Sequence, residues 1–327
     1  MSQPPPRGRV ARIAALLAAA VLVGSIAPAP ARAAGVRAVS NDGLGLAQQA
    51  GNPKLVTRGF VGRAGRTAEA ADAAAAALSA APESPEEVWR LWSLAPATAP
   101  IGRESIIGPD DRKRVKNTRA YPFRAIALVT FSGSRCTGWL IAADTVVTAG
   151  HCVHSGGKRG GWYNVSAFRV YPGRDGSSVP FGSCTAKRLY SNTGWTEQAS
   201  SQHDFGAIKL DCDIGLTTGW FGYFWTNGSL VGRRAVVSGY PGDKPLTQWR
   251  SVGEVDASRT FEVFYQNDTL GGQSGSPVYY DHPNCGICAM AVHAYGIYGR
   301  KPYADHNHGT RITQSVARMF RDWSMAD

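Results

Sequence analysis

No apolar run after Ile26 is long enough to cross a bilayer, so nothing beyond the first residues reads as a membrane-spanning helix. Acidic residues are scarce, 24 Asp and Glu against 35 Lys and Arg, for a formal charge of +11. From Ser105 onward 24 Lys and Arg face 17 Asp and Glu, leaving +7, scattered along the chain with no basic helix among them. That pattern argues against a nucleic-acid surface and for a general attraction to acidic substrates. Cysteine is missing from residues 34–104, and helical periodicity is nearly missing after Ser105. Without βαβ alternation, a thioredoxin-like or α/β-hydrolase scaffold has no support.

What is present begins with an export signal. Arg7, Arg9 and Arg12 precede the apolar run Ile13 to Ile26, and Ala31-Arg32-Ala33 supplies small residues for cleavage. Residues 1–33 are therefore expected to be a signal peptide cut after Ala33, and the product to be secreted, extracellular and free of the membrane. Six cysteines in an exported chain predict three disulfides. Residues 34–104 differ from the rest: an alanine-dense run, Ala68 to Ala81, is followed by an expected short helix over Ser84 to Trp92 and a Pro/Ala linker. A pro-segment is the expectation, with a small N-terminal module or a spacer as alternatives.

From Ser105, short Val/Ile/Phe/Tyr/Trp runs recur between Gly, Pro, Asn and Asp. Strands are expected over Ala125 to Phe131, Thr137 to Ala142, Thr145 to Ala149, Ala167 to Tyr171, Ala186 to Tyr190 and Phe205 to Leu210. A second set covers Arg234 to Gly239, Gly253 to Ala257, Thr260 to Gln266, Ser276 to Tyr280, Ile287 to Tyr295 and Thr310 to Ile312. The spacing predicts an antiparallel all-β sandwich or pair of barrels. One helix is expected at the end: Val316, Met319, Phe320 and Trp323 share a face, and Thr313 is suited to cap it.

The chemistry gathers around Leu270-Gly271-Gly272-Gln273-Ser274-Gly275-Ser276-Pro277. Glycines around a serine remove the Cβ atoms that would obstruct a carbonyl and permit positive φ. Such a turn also points backbone N–H groups at a developing oxyanion. His151, in Thr148-Ala149-Gly150-His151-Cys152, closes an apolar strand and has the restricted placement of a general base. Asp204 opens Asp204-Phe205-Gly206-Ala207-Ile208, where a carboxylate would be buried and able to fix the imidazole. The order His, Asp, Ser is the chymotrypsin order. G-x-S-x-G fails because Ser276 occupies the last glycine's place, and a subtilisin order would force Asp144, too close to His151.

The motifs Thr148-Ala149-Gly150-His151-Cys152 and Gly272-Gln273-Ser274-Gly275-Ser276-Pro277 resemble the two signatures of chymotrypsin-like serine proteases. More narrowly, Ser105 to Asp327 resembles the secreted bacterial glutamyl endopeptidases over nearly its whole length. Ile107-Gly108-Pro109-Asp110-Asp111-Arg112, Tyr121-Pro122-Phe123-Arg124, Cys136-Thr137-Gly138-Trp139, Ser238-Gly239-Tyr240-Pro241-Gly242-Asp243-Lys244, Asp268-Thr269-Leu270, Ala291-Val292-His293 and Gly309-Thr310-Arg311-Ile312-Thr313 carry the resemblance. It implies two antiparallel six-stranded β-barrels, about 105–225 and 226–327, the second carrying a C-terminal helix. Ser274 would be the nucleophile, His151 the base and then the acid, and Asp204 the orienting carboxylate, with Gly272 and Ser274 as oxyanion donors. It implies peptide and protein substrates, no metal, no other cofactor, no nucleic-acid or membrane partner, and a monomer. A non-catalytic binding protein on the same scaffold is the alternative from another class.

Two features bear on the substrate. Asp268 lies six residues before Ser274, where trypsin-like enzymes carry the acid that selects Lys or Arg. His293 and Thr269, by the resemblance, bind a glutamate carboxylate instead, with Asp an accepted variant. Glu104 precedes Ser105, so an enzyme cutting after Glu would release its own body there. Gln273 replaces trypsin's aspartate and cannot ion-pair with a new N-terminus. In the glutamyl branch that amine joins the specificity pocket, which would make Ser105 part of it. The resemblance also implies a Cys136–Cys152 disulfide. Cys285 and Cys288 are expected to close a short loop, with half a zinc site using His282 as the alternative, and Cys184–Cys212 is the remaining pair.

Overall fold

Runs of β-branched and aromatic residues broken by turn formers give two antiparallel sheets in the computed structural model. It describes residues 1, 35–44, 46, 51, 56–63, 90, 95–96, 105–297 and 303–327. The signal peptide, the Ala33 cleavage point, most of the expected helix over Ser84 to Trp92, and Glu104 lie outside the described residues.

The first sheet uses β5 (Ile126–Phe131), β6 (Ser134–Leu140), β7 (Thr145–Thr148), β8 (Arg169–Pro172), β9 (Cys184–Asn192) and β10 (Gly206–Leu210). Hydrogen bonding follows the order β9-β10-β7-β6-β5-β8, and β8 pairs back onto β9, closing a six-stranded barrel. Every residue of β5 and β7 is buried, so these strands read as unbroken apolar or small-polar runs rather than alternating ones.

The second sheet contains β4 (Lys113–Arg114), β11 (Gly222–Phe224), β12 (Arg234–Gly239), β13 (Trp249–Glu254), β14 (Ala257–Ser258), β15 (Glu262–Tyr265), β16 (Pro277–His282), β17 (Gly286–Tyr295) and β18 (Asn307–Arg311). Its path, β14-β15-β18-β17-β16-β12-β13-β4, is open among the described residues: a half-barrel beside a closed one. The division expected near residue 225 therefore falls earlier, because β11 pairs in parallel with β17 and the N-terminal β4 pairs with β13. The strand expected over Gly253 to Ala257 lies further back, because β12 holds β13 in register from Arg234↔Glu254 to Gly239↔Trp249.

The short helices α1 (Thr193–Thr196) and α2 (Gly215–Thr218) lie ahead of α3 (Gln314–Met325). Thr313 caps α3, its hydroxyl accepting the Val316 N–H at 3.4 Å. Although α3 follows the second sheet, it packs against β7 and β10 of the first. Trp323 stacks on Tyr190 at 5.8 Å and Phe320 meets Trp139 edge-on at 6.1 Å. Each such buried aromatic contributes about 2 kcal/mol, which fixes the helix on the barrel whose aromatic side chains face it.

Among the described residues, three strands arise from the stretch assigned to a pro-segment. β1 (Ala38–Ser40) pairs with β9, β2 (Val56–Thr57) pairs with β11, and β3 (Ala95–Pro96) runs parallel to β6. Val36–Asp327 thereby forms one compact unit.

Candidate active site

β7 and β10 are neighbours in register, Gly206 opposite Thr148, so the residues that end one and open the other share an edge of the barrel. After β7, Ala149 is extended and a single 3-10 turn, Gly150–Cys152, turns His151 inward. Asp204, just before β10, is fully buried. Its Oδ1 accepts the His151 backbone N–H at 2.8 Å and its Oδ2 accepts from Nδ1 at 2.7 Å. A carboxylate oxygen accepts this bond, so Nδ1 donates its proton and Nε2 is the ring nitrogen suited to act as base. Gly150 is required, because a Cβ there would lie 2.9 Å from Asp204 Oδ1.

Ser274 sits in a turn tied by Gln273 N–H to Leu270 O (3.0 Å) and Ser276 N–H to Gln273 O (2.9 Å). Gly272 and Gly275 have φ of +101° and +87°. A Cβ on Gly275 would run into Thr137 O and Thr148 Oγ1, and one on Gly272 would lie 2.7 Å from Tyr240 O. Thr137, in β6, holds the turn twice: its N–H donates to Ser274 O at 2.9 Å and its hydroxyl to Gly272 O at 2.9 Å. The turn is thus hung from a strand of the other barrel. The Gly272 N–H donates to no protein group among the described residues. Buried Gln273 turns its Oε1 to the Leu270 N–H at 3.0 Å, inside its own turn.

Cys136–Cys152 ties β6 to the His151 turn with Cα atoms 6.3 Å apart, and Cys152 Sγ lies 3.9 Å from Ser274 O. Cys184–Cys212 and Cys285–Cys288 are joined as well. With its sulfurs bonded to each other, the Cys285/Cys288 pair has no thiolates for the zinc alternative. Among the described residues, the two clusters compact enough for an ion, Cys136/His151/Cys152 and Cys184/Asp211/Cys212, contain the same bonded sulfurs.

Asp268 is committed elsewhere. Its Oδ1 accepts the Ile107 N–H and its Oδ2 the Asp111 N–H, both at 2.7 Å, and its own N–H donates to Ser251 Oγ. Burial raises its carboxyl pKa against the pull of those two donors. The acid that resembled a cation selector instead holds the start of the body in place. Next to it, Ser105 O accepts the Thr269 N–H at 3.1 Å, and the Asn307 side chain grips both sides of Ser105, accepting its N–H at 3.0 Å and donating to its carbonyl at 2.7 Å.

His293 is fully buried, with Nδ1 2.6 Å from the Tyr265 hydroxyl. Burial first, then the charges His308 and His151 would carry, push its pKa down to about 3, so the ring is neutral at neutral pH. If the phenol donates to Nδ1, Nε2 carries the remaining ring proton. That Nε2 and Thr269 Oγ1 are both buried without a hydrogen-bond partner among the described residues. His308, stacked on Phe264 and Tyr295, is pushed down to about 4, chiefly by burial. Tyr265 and Asn307 gave no signal in the sequence: one is an ordinary strand aromatic, and the other lies ahead of the strand expected over Thr310 to Ile312.

Residues 113–317 match the trypsin family. The chain is 46% identical over 236 residues to a glutamyl endopeptidase of Bacillus licheniformis, covering 70% of this chain and 72% of that one. It is 40% identical over 228 residues to a Bacillus subtilis protein described as an extracellular metalloprotease, covering 67% and 70%. Among solved structures, a Glu endopeptidase in complex with MPD superposes with a TM-score of 0.58 at 34% identity, covering 68% of this chain and all of that one.

Proposed function

The chain belongs to the trypsin family of serine endopeptidases, and from that premise we propose that it cleaves peptide bonds after glutamate, with aspartate as second choice. Ser274 Oγ attacks the scissile carbonyl while His151 Nε2 takes its proton, and Asp204 stabilises the imidazolium. The oxyanion is received by the N–H groups of Gly272 and Ser274. His151 then protonates the departing amine, and water, deprotonated by the same ring, hydrolyses the acyl-enzyme.

The observation that carries the glutamate reading is the pair of buried, unpartnered groups, His293 Nε2 and Thr269 Oγ1, the second on the residue whose N–H donates to Ser105 O. A carboxylate accepting from both would satisfy them, and its charge would raise the His293 pKa from about 3. The engaged carboxylate of Asp268 speaks against Lys or Arg selection. Resemblance to glutamyl endopeptidases supports the same substrate. Matched peptides differing only in Glu, Asp, Lys or Arg before the scissile bond test it: the order Glu, then Asp, with no cleavage at Lys or Arg, is expected. Turnover at Lys or Arg alone would overturn the specificity, and loss of all inhibitor-sensitive turnover would overturn the chemistry.

The protein is made as a secreted zymogen that cuts itself between Glu104 and Ser105. Ser105 is already held by Asn307 and Thr269, so the cut would deliver an ammonium group to the pocket without rearrangement. A Ser274→Ala precursor should keep residues 34–104, whereas normal trimming to Ser105 would refute self-processing.

A further inference from the structure

Residues 36–44 and 56–63 engage both sheets by strand pairing. β1 takes the stretch of the β9 edge that β8 leaves open, Ala38 opposite Asn192 and Ser40 opposite Tyr190. Backbone bonds extend the pairing on both sides, from Thr193 N–H to Arg37 O (2.8 Å) and from Asn41 N–H to Leu189 O (3.1 Å). The Asn41 side chain accepts the Leu189 N–H at 2.8 Å, and Asp42 pairs with Arg188 at 2.6 Å.

The second anchorage is on β11 of the second sheet and the residues just before it. β2 lies antiparallel to β11, whose other edge pairs with β17. Phe60 and Trp220 exchange both backbone hydrogen bonds, at 2.9 and 2.8 Å, with their rings 4.5 Å apart. Buried Arg124 donates to Thr218 O, Arg119 O and, at 2.6 Å, Val61 O. Contact is close enough to demand glycine: a Cβ on Gly59 would lie 2.7 Å from Trp220 O, and one on Gly62, where φ is +84°, would run into the Gly219 N–H. A spacer that only joined a signal to a body would have no reason to match backbone to backbone at such positions.

Neither anchorage involves residue 104, and Ser105 is fastened independently by Asn307 and Thr269. Cutting the chain before Ser105 therefore leaves the receiving edges of β9 and β11 intact on the body. We infer that residues 36–63 are a strap that bridges the two barrels and stays bound non-covalently after the chain is cut, so that the body's partner at this surface is its own N-terminal fragment. Without the strap, Arg124 loses one of its three carbonyl acceptors, the open end of β9 is bare, and Trp220 loses its ring partner.

The test uses the full chain carrying Ser274→Ala, with a recognition site for a sequence-specific protease inserted between residues 64 and 89. After the cut, size-exclusion chromatography at about 1 μM, a concentration at which a Kd well below micromolar retains the fragment, should elute both pieces together. Separation of the N-terminal piece from a folded body would overturn the inference. Gly62→Val should weaken retention at least tenfold, and Phe60→Ala, which disturbs no tight backbone contact, serves if Gly62→Val does not fold. Retention unchanged in both variants would overturn the assigned register. Because the experiment neither uses catalysis nor cuts at Glu104, its failure would leave the glutamate reading standing, and the reverse holds.

Discussion

The carboxylate beside His151 and the buried groups around His293 differ in how their polar atoms are satisfied. In the closed barrel, both oxygens of Asp204 are engaged by His151. In the open one, His293 Nε2, Thr269 Oγ1 and His308 Nδ1 are buried with no hydrogen-bond partner among the described residues. A buried polar atom left unpaired costs about 1–3 kcal/mol, and under the proposed glutamate reading a bound carboxylate would recover that cost in the second sheet. On that reading the machinery for breaking the bond is finished before substrate arrives, while the surface that chooses the substrate is completed by it.

Breaking the finished side should have the largest effect. Asp204→Asn keeps the shape but stabilises the wrong imidazole tautomer, and kcat on a glutamyl peptide should fall about 10⁴-fold with KM little changed. Breaking the unfinished side costs less: His293→Phe should lower kcat/KM for that peptide roughly 10³-fold, and a comparable loss in kcat/KM for a peptide lacking the carboxylate would deny His293 its recognition role.

Acid should weaken the fold through its buried histidines, of which His293 and His308 are pushed down furthest. His293 and His308 are held neutral, with pKa values of about 3 and about 4 against 6.5 when unfolded. As pH falls below 6.5 the unfolded chain takes up protons that the folded protein refuses, so stability is full above 6.5 and declines toward 4. The His293 contribution alone corresponds to roughly 3 kcal/mol over that window. Melting temperatures between pH 7 and 4 should show the decline, and His293→Phe should flatten it. The smallest effect is expected at Asp268→Asn, which weakens the hold on Ile107 and Asp111 by about 1–2 kcal/mol in urea unfolding. Any change in Lys or Arg cleavage in that variant would bring the tryptic reading back.

How much of this was legible follows from how local each signal is. The strands around His151, Asp204 and Ser274 announce themselves because apolar runs and glycine turns are short-range patterns. The role of Asp268 was not readable, since its partners are backbone N–H groups about 160 residues earlier, which leave no mark in side-chain type. The same holds for β1, β2 and β3: two- and three-residue strands carry no periodicity, and their pairing is decided by edges of β9, β11 and β6 formed far away. The position of α3 was missed because its apolar face specifies burial without saying which sheet receives it.

Thr137 has a consequence for how such a molecule can change. Its neighbour Cys136 is bonded to Cys152, which follows His151, while Thr137 itself carries the Ser274 turn through two hydrogen bonds. The proposed nucleophile and base are therefore both surveyed from one benchmark on β6. Loops of the second sheet could be lengthened, traded or repacked around His293 and Thr269 while that benchmark kept the reacting atoms in alignment. In this architecture the taste for a side chain is free to wander, and the cutting edge stays where it was set.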